Sequence, residues 1–290
     1  MKDPSSIQIA PLPKRQSITI TTNLLSIQPP MNPVKLISLF AACSLAAPVF
    51  AGTVSSKAPA TPPPVEDNGL WFRTVSYGWV TAIEGDVSIG RLSAPVDISM
   101  SDTLDSLDMA YMGVFEAGCG RFSAGVDVIY AKTSQDAIGG GRFFDSFRYE
   151  QKQWILTPFL AMRVIDTGRY HMDVFTGARF TLLEAELTGR LVGPGEISAT
   201  RDIDWVDPII GIRGQADFSD KWFFRYNGDV GGFGVGSDFA WQAFAGVGYH
   251  FTPNVSAALG YRGMGMDYSK GSFAMDTVSH GPVIGLEMRF

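Results

Sequence analysis

Charge, cysteine and histidine are all scarce in this chain of 290 residues. Asp, Glu, Lys and Arg together make up 18%, against about 25% in an ordinary soluble domain. The net charge is −6, and no basic stripe offers a phosphate backbone its counterions, which excludes nucleic acid as a partner. Two cysteines, Cys43 and Cys119, cannot build a disulfide scaffold, and with three histidines they leave little for a zinc site. No motif asks for a cofactor. Beyond residue 52 no run of 18 apolar residues occurs, which excludes a membrane-spanning helix there. What the chain does have is aromatic residues at 12% and 32 glycines.

The N-terminal part reads as an address. Residues 31–51, MNPVKLISLFAACSLAAPVFA, set one cation, Lys35, before a short apolar run that closes on Val49-Phe50-Ala51. That is the pattern of a secretory signal peptide. A signal peptide normally stands first, so translation is expected to start at Met31, with residues 1–30 an upstream artefact of annotation. Cys43 follows Phe40-Ala41-Ala42, where a lipoprotein box would carry a branched aliphatic residue in place of Phe40. Removal of residues 1–51 takes Lys2, Lys14, Arg15 and Lys35 against Asp3 alone, so the remainder is more acidic still. Residues 52–69 hold Pro59, Pro62, Pro63 and Pro64 and read as a stiff linker. A folded domain is expected over residues 70–290.

Within that domain hydrophobicity alternates with period two, the signature of strands. Phe239, Trp241, Ala243, Ala245, Val247, Tyr249 and Phe251 alternate with Asp238, Gln242, Gly246, Gly248 and His250. Trp154 to Val164, Tyr170 to Phe180, Val206 to Ile212, Trp222 to Tyr226 and His280 to Phe290 repeat the pattern. A soluble sandwich would bury the apolar face, whereas a membrane barrel turns it to lipid. Three features favour the barrel: a glycine-rich polar face that suits a crowded interior, aromatics at strand ends, and a terminal strand closing on Phe290.

Ten strands are expected, near residues 77–90, 110–119, 121–131, 151–165, 170–183, 204–218, 221–230, 238–251, 255–266 and 279–290, with eight as the alternative. The fold class is therefore all-β, a closed antiparallel up-and-down transmembrane barrel. Short turns alternate with longer loops at residues 91–109, 132–150, 188–203, 231–237 and 269–278. With an even strand number and short periplasmic turns, both termini are expected in the periplasm. The oligomeric state, monomer or trimer, is left open.

With its signal peptide, alternating strands and terminal Phe290, the chain resembles the outer-membrane β-barrel proteins of Gram-negative bacteria. Trp205-Val206-Asp207-Pro208, the run from Gly228 to Gly234, Ser237-Asp238 and Gly260-Tyr261-Arg262 further resemble an uncharacterised proteobacterial family of such barrels. The resemblance implies location in the cell outer membrane, contact with its lipids and lipopolysaccharide, and insertion by the barrel-assembly machinery, for which Phe290 would be the signal. It implies no activity.

If the apolar parity faces lipid, Glu84, Asp86, Glu116, Asp127, Asp173, Asp207, Asp229 and Glu287 point inward with Arg163, Arg179, Arg213, Arg225, Arg262 and Arg289. Unpaired charges in a narrow interior are costly, so a paired network is expected. Its core is Asp127, Asp173, Arg179, Asp207, Arg213, Arg225, Asp229 and Arg262. The expected function is structural or surface-exposed, with a largely closed lumen. The alternative is a narrow channel for small solutes or ions. A proteolytic or lipid-modifying enzyme is the remaining class, and it would need a nucleophile beside a base. His171 and His250 lie beside short turns. Ser279 and His280, with Asp276 nearby, are adjacent in a strand and face opposite ways, so no enzyme is expected. The run Gly228 to Gly236 has no following helix and reads as a strand entering a loop. Residues 101–107 are expected to form a short surface helix with Asp102, Asp105 and Asp108 as its acidic side.

Overall fold

A computed structural model describes residues 69–89, 92–138 and 144–290. The signal peptide and most of the linker lie outside the described residues. The chain forms β1 (Leu70–Trp79), β2 (Ala82–Ile89), β3 (Leu92–Ile98), helix α1 (Met100–Ser106), β4 (Leu107–Cys119), β5 (Phe122–Ile138), β6 (Phe144–Asp166), β7 (Tyr170–Leu191), β8 (Glu196–Asp217), β9 (Trp222–Gly231), β10 (Phe239–Thr252), β11 (Val255–Lys270) and β12 (Phe273–Arg289). Strands β4 to β12 pair in order, and β1 pairs with both β4 and β12. The result is a closed antiparallel ring of ten strands, with Arg73 opposite both Arg289 and Glu116 at the closure. Backbone bonds in both directions between Phe72 and Phe290, at 3.1 and 2.9 Å, finish the seam.

Strand β2 carries β1 onward after a break at Val80-Thr81, and pairs with the upper part of β12. At the break the Val80 carbonyl presses on Gly281, where a Cβ would sit 1.8 Å from its oxygen, so only glycine fits. The first strand thus starts at Leu70, earlier than the expected 77. The break also changes the outcome for Glu84 and Asp86. Both are exposed on β2, above the ring, and neither enters the lumen. Helix α1 begins at Ser99, whose hydroxyl accepts from the Asp102 amide while the Asp102 carboxylate accepts from the Ser99 amide. This capping box accounts for a helix in so short a segment.

The two ends of the ring differ. At one, turns are short: β4–β5 turns through Gly120 with φ +55° and β6–β7 through Gly168 with φ +79°, while the Ser219 hydroxyl caps the amides of Lys221 and Trp222 before β9. At the other, the strands run on. β6, β7 and β8 have 23, 22 and 22 residues. At ~3.3 Å per residue and a ~45° tilt, such strands rise about 50 Å, well beyond a hydrocarbon core of about 30 Å. Much of what was expected as loops at 132–150, 188–203 and 269–278 is therefore paired strand. The backbone ladder continues where the hydrophobic alternation stops, because above lipid neither face has to be apolar.

The outer face carries the apolar belt: Leu160, Ile210, Leu259 and Ile284 are 57–64% exposed, an arrangement that only lipid can cover. Phe72, Phe122, Trp222, Phe251 and Phe290 line the short-turn rim, and the Tyr130 and Trp154 rings meet at 4.5 Å, tilted by 41°, toward the other.

Candidate lumen site

The inward parity brings charged residues of opposite walls together, in two tiers. In the tier nearer the short turns, Glu116 on β4 accepts from Arg73 (Nε, 3.0 Å) and, across the lumen, from both terminal nitrogens of Arg213 on β8. Arg213 also donates to Asp173, which accepts from Arg163 at 3.0 Å. Glu287 receives Arg73 at 3.0 Å, Arg225 at 2.6 Å and Arg289 at 2.8 Å. Each carboxylate serves two or three guanidinium groups, as the fork geometry of arginine allows.

In the second tier, Arg179 donates to Asp229 at 2.7 Å, and both side chains are almost fully buried. Arg262 on β11 reaches across to Asp127 on β5 at 3.0 Å, to the Tyr77 hydroxyl at 2.8 Å and to Gln242. The Tyr77 hydroxyl in turn donates to Asp127 at 2.6 Å.

Seven of the eight expected network residues meet in this way. Asp207 does not join them. It is fully buried and accepts from the Trp205 indole at 3.0 Å and from the amide and hydroxyl of Ser237 at 2.6 and 2.8 Å. Asp207 thus pins the β9–β10 loop, where Gly232, Phe233 and Gly234 all take positive φ. Arg73 and Tyr77 are central here, but Arg73 fell before the expected first strand. The alternation Phe72-Arg73-Thr74-Val75 was the available signal. Gln215, which accepts from Arg225 at 2.7 Å, and Gln242 carry no charge to single them out.

Above the charges, toward the long-strand end, the lumen is apolar. Trp79, Ile129, Ile155, Trp205, Met264, Met266, Tyr268 and Val283 form one buried cluster, with Trp205 stacked on Tyr268 at 4.4 Å. Below it a cavity of about 200 Å³ lies among Tyr77, Glu116, Asp127, Arg213, Arg225 and Arg262, large enough for several waters. The histidines are apart. His171 borders this cavity, His250 packs on Phe223 at 4.6 Å, and His280 faces outward with Nδ1 2.6 Å from the Tyr261 hydroxyl. Among the described residues no helix is long and apolar enough to cross a membrane, and no cluster of three or more metal-ligating side chains occurs.

Closed ring, lipid-facing belt and polar lumen define an integral outer-membrane β-barrel. Comparison with solved structures agrees. The chain is similar to the outer-membrane protease OmpT from Escherichia coli, with a TM-score of 0.55 at 10% identity over 77% of this chain and 98% of that one. Matches of lower score include the neisserial surface protein NspA, at 15% identity over 77% and 99% of the two chains with TM-score 0.29. The attachment invasion locus protein Ail of Yersinia pestis matches at 10% identity over 77% and 99%, with TM-score 0.32. At such identities the likeness is one of fold, and fold alone names no activity. No protein-family model matches the chain, and no curated protein matches it in sequence.

Proposed function

We infer that this barrel is a closed, non-enzymatic outer-membrane protein whose working surface is the tall wall built by the long strands. The observation that carries this reading is the Trp79–Trp205–Tyr268 cluster stacked over the cross-lumen salt bridges. Two successive layers fill the bore, the usual state of a small barrel. The absence of catalysis is inferred from the separation of the three histidines from one another and of His280 from Ser279. In this reading the long-strand end faces the medium, while the short turns and both termini face the periplasm, as in bacterial barrels generally. Proteoliposome swelling tests the closed lumen: vesicles carrying the folded barrel should keep their volume when diluted into isotonic arabinose, and steady swelling would contradict the reading. An epitope inserted at Pro194, in the exposed β7–β8 turn, should be reached by antibody on intact cells; reactivity only after the outer membrane is broken would reverse the orientation. Phe290 is the proposed assembly signal, held at the seam by Phe72. Its deletion should lower the yield of heat-modifiable barrel, and an unchanged yield would count against that role.

A narrow channel is the second reading, favoured by the cavity and by Arg262 Nε and Asn227 Oδ1, two buried atoms at its wall with no protein partner. Unitary currents altered by Arg213→Ala would select it.

A further inference from the structure

The wall of the barrel is notched. β9 ends at Gly231, opposite Ile209 of β8, and β10 starts only at Phe239. Above that level the ring loses two strands, a gap of roughly two strand widths of ~4.8 Å each. β8 continues for another thirteen residues, 196–208, with β7 as its one paired neighbour among the described residues. The β9–β10 loop covers the lowest part of that edge: Gly232 donates to the Pro208 carbonyl at 3.2 Å, and Gly236 lies against the Val206 carbonyl. Alternation along the strand turns the backbone N–H and C=O of Asp204, Asp202, Thr200 and Ser198 the same way as those of Pro208 and Val206. Among the described residues, no hydrogen bond or ion pair reaches these four residues on that side. All four are exposed, and the edge forms an open half-ladder of the kind that proteins normally cover or blunt.

Charge says what fits it. The outer face beside this edge carries Asp202 opposite Glu184 and Thr200 opposite Glu186 across the β7–β8 pairing, with Asp204 one step below. Lys152 answers Glu184 at 2.8 Å. Among the described residues, Glu186, Asp202 and Asp204 have no cationic partner. The inner face is different: Ile203 packs on the apolar cluster, and Arg201 lies over the Phe273 ring at 5.8 Å. A strand laid along this edge would place alternate side chains against carboxylates outside and against Ile203 and Phe273 inside.

We propose that the open edge of β8 at residues 198–204 binds an extended cationic segment of a partner polypeptide by β-strand addition, with basic residues at every second position and apolar residues between. The proposal rests on the reading of this wall as the working surface, but it does not depend on whether the lumen conducts, so liposome swelling and peptide binding fail separately. Backbone bonds would supply the pairing and the acidic row the choice of partner.

The test uses the folded full chain in zwitterionic nanodiscs and a fluorescein-labelled nine-residue peptide of alternating lysine and valine, with empty nanodiscs as the blank. Fluorescence anisotropy should show saturable binding that weakens as salt is raised. Peptides N-methylated at every second residue, one in each phase, separate pairing from charge. The phase that faces β8 should bind at least tenfold more weakly. Thr200→Pro removes one open-edge N–H and leaves the β7 ladder intact, as Pro208 already does on the same parity. It should weaken binding tenfold or more with heat-modifiability unchanged. If Thr200→Pro fails to fold, the pair D202K and D204K should give the same loss. Equal affinity for both methylated peptides, or no binding to the nanodisc-embedded barrel, overturns the proposal. So does a wild-type dimer in light scattering that Thr200→Pro dissolves, since the occupant would then be a second copy.

Discussion

At the residue scale, the energetics concentrate in a few buried charges. The Arg179–Asp229 pair is almost fully buried, so removing one partner leaves the other charge buried without its counterion. Arg179→Ala should destabilise the barrel by about 3–5 kcal/mol in urea unfolding from lipid vesicles. By contrast, Arg148→Ala breaks an exposed pair with Asp136 and should leave the transition almost in place. Equal effects would mean that Arg179 is hydrated. A second residue-scale expectation concerns Asp267, on the exposed upper part of β11. Burial, and then Asp276 and Asp238, push its carboxyl above the ordinary value. Its charge therefore opposes folding at neutral pH, and that penalty disappears as pH falls through the raised pKa toward the unfolded value. Asp267→Asn should raise the thermal midpoint at pH 7, and the gain should vanish by about pH 3. A gain that persists at low pH would point to a cause other than charge. Parity in the sequence was enough to direct Arg179, Arg213, Arg225 and Arg262 inward. It could not say which carboxylate each would meet, because the partners sit on opposite walls and depend on closure and stagger of the ring. Asp207 shows the limit. Its parity is that of the network, but the neighbouring loop folds in and takes both of its oxygens.

At the scale of elements, legibility follows the solvent. Where strands cross lipid, one face must be apolar, and the alternation from Trp154 to Val164 or from Phe239 to Phe251 locates them within a residue or two. Above the lipid no such demand exists, and Tyr149, Glu150, Gln151 and Lys152 pair as strand without any hydrophobic period. The same reasoning hid the apolar cluster, since Met264, Met266 and Tyr268 lie on the parity of Arg262 and face the lumen above the charged tiers. A substitution at the belt tests the assignment of faces. Val247 is exposed at mid-strand in β10, so Val247→Arg should cost about 2–4 kcal/mol or block insertion. Folding into vesicles as readily as wild type would place that face away from lipid.

At the scale of the whole molecule, the ring is closed around its circumference by β1 and β12 and, in the proposed function, across the bore as well. The circumferential closure removes the sheet edges within the membrane that a lipid environment could not satisfy. Salt bridges reach across the bore near the short turns, and aromatic and methionine side chains pack inside it toward the long strands. The cavity lies among the salt bridges, below the apolar cluster. Conductance across a planar bilayer measures this most directly, with the wild-type barrel compared with the triple variant Trp79→Ala, Trp205→Ala, Tyr268→Ala. The wild type should be electrically silent, and the variant should pass steady current only when Arg213→Ala is added to open the charged layer beneath the apolar one. Steady unitary currents from the wild type, unchanged in the variant, would contradict a sealed lumen.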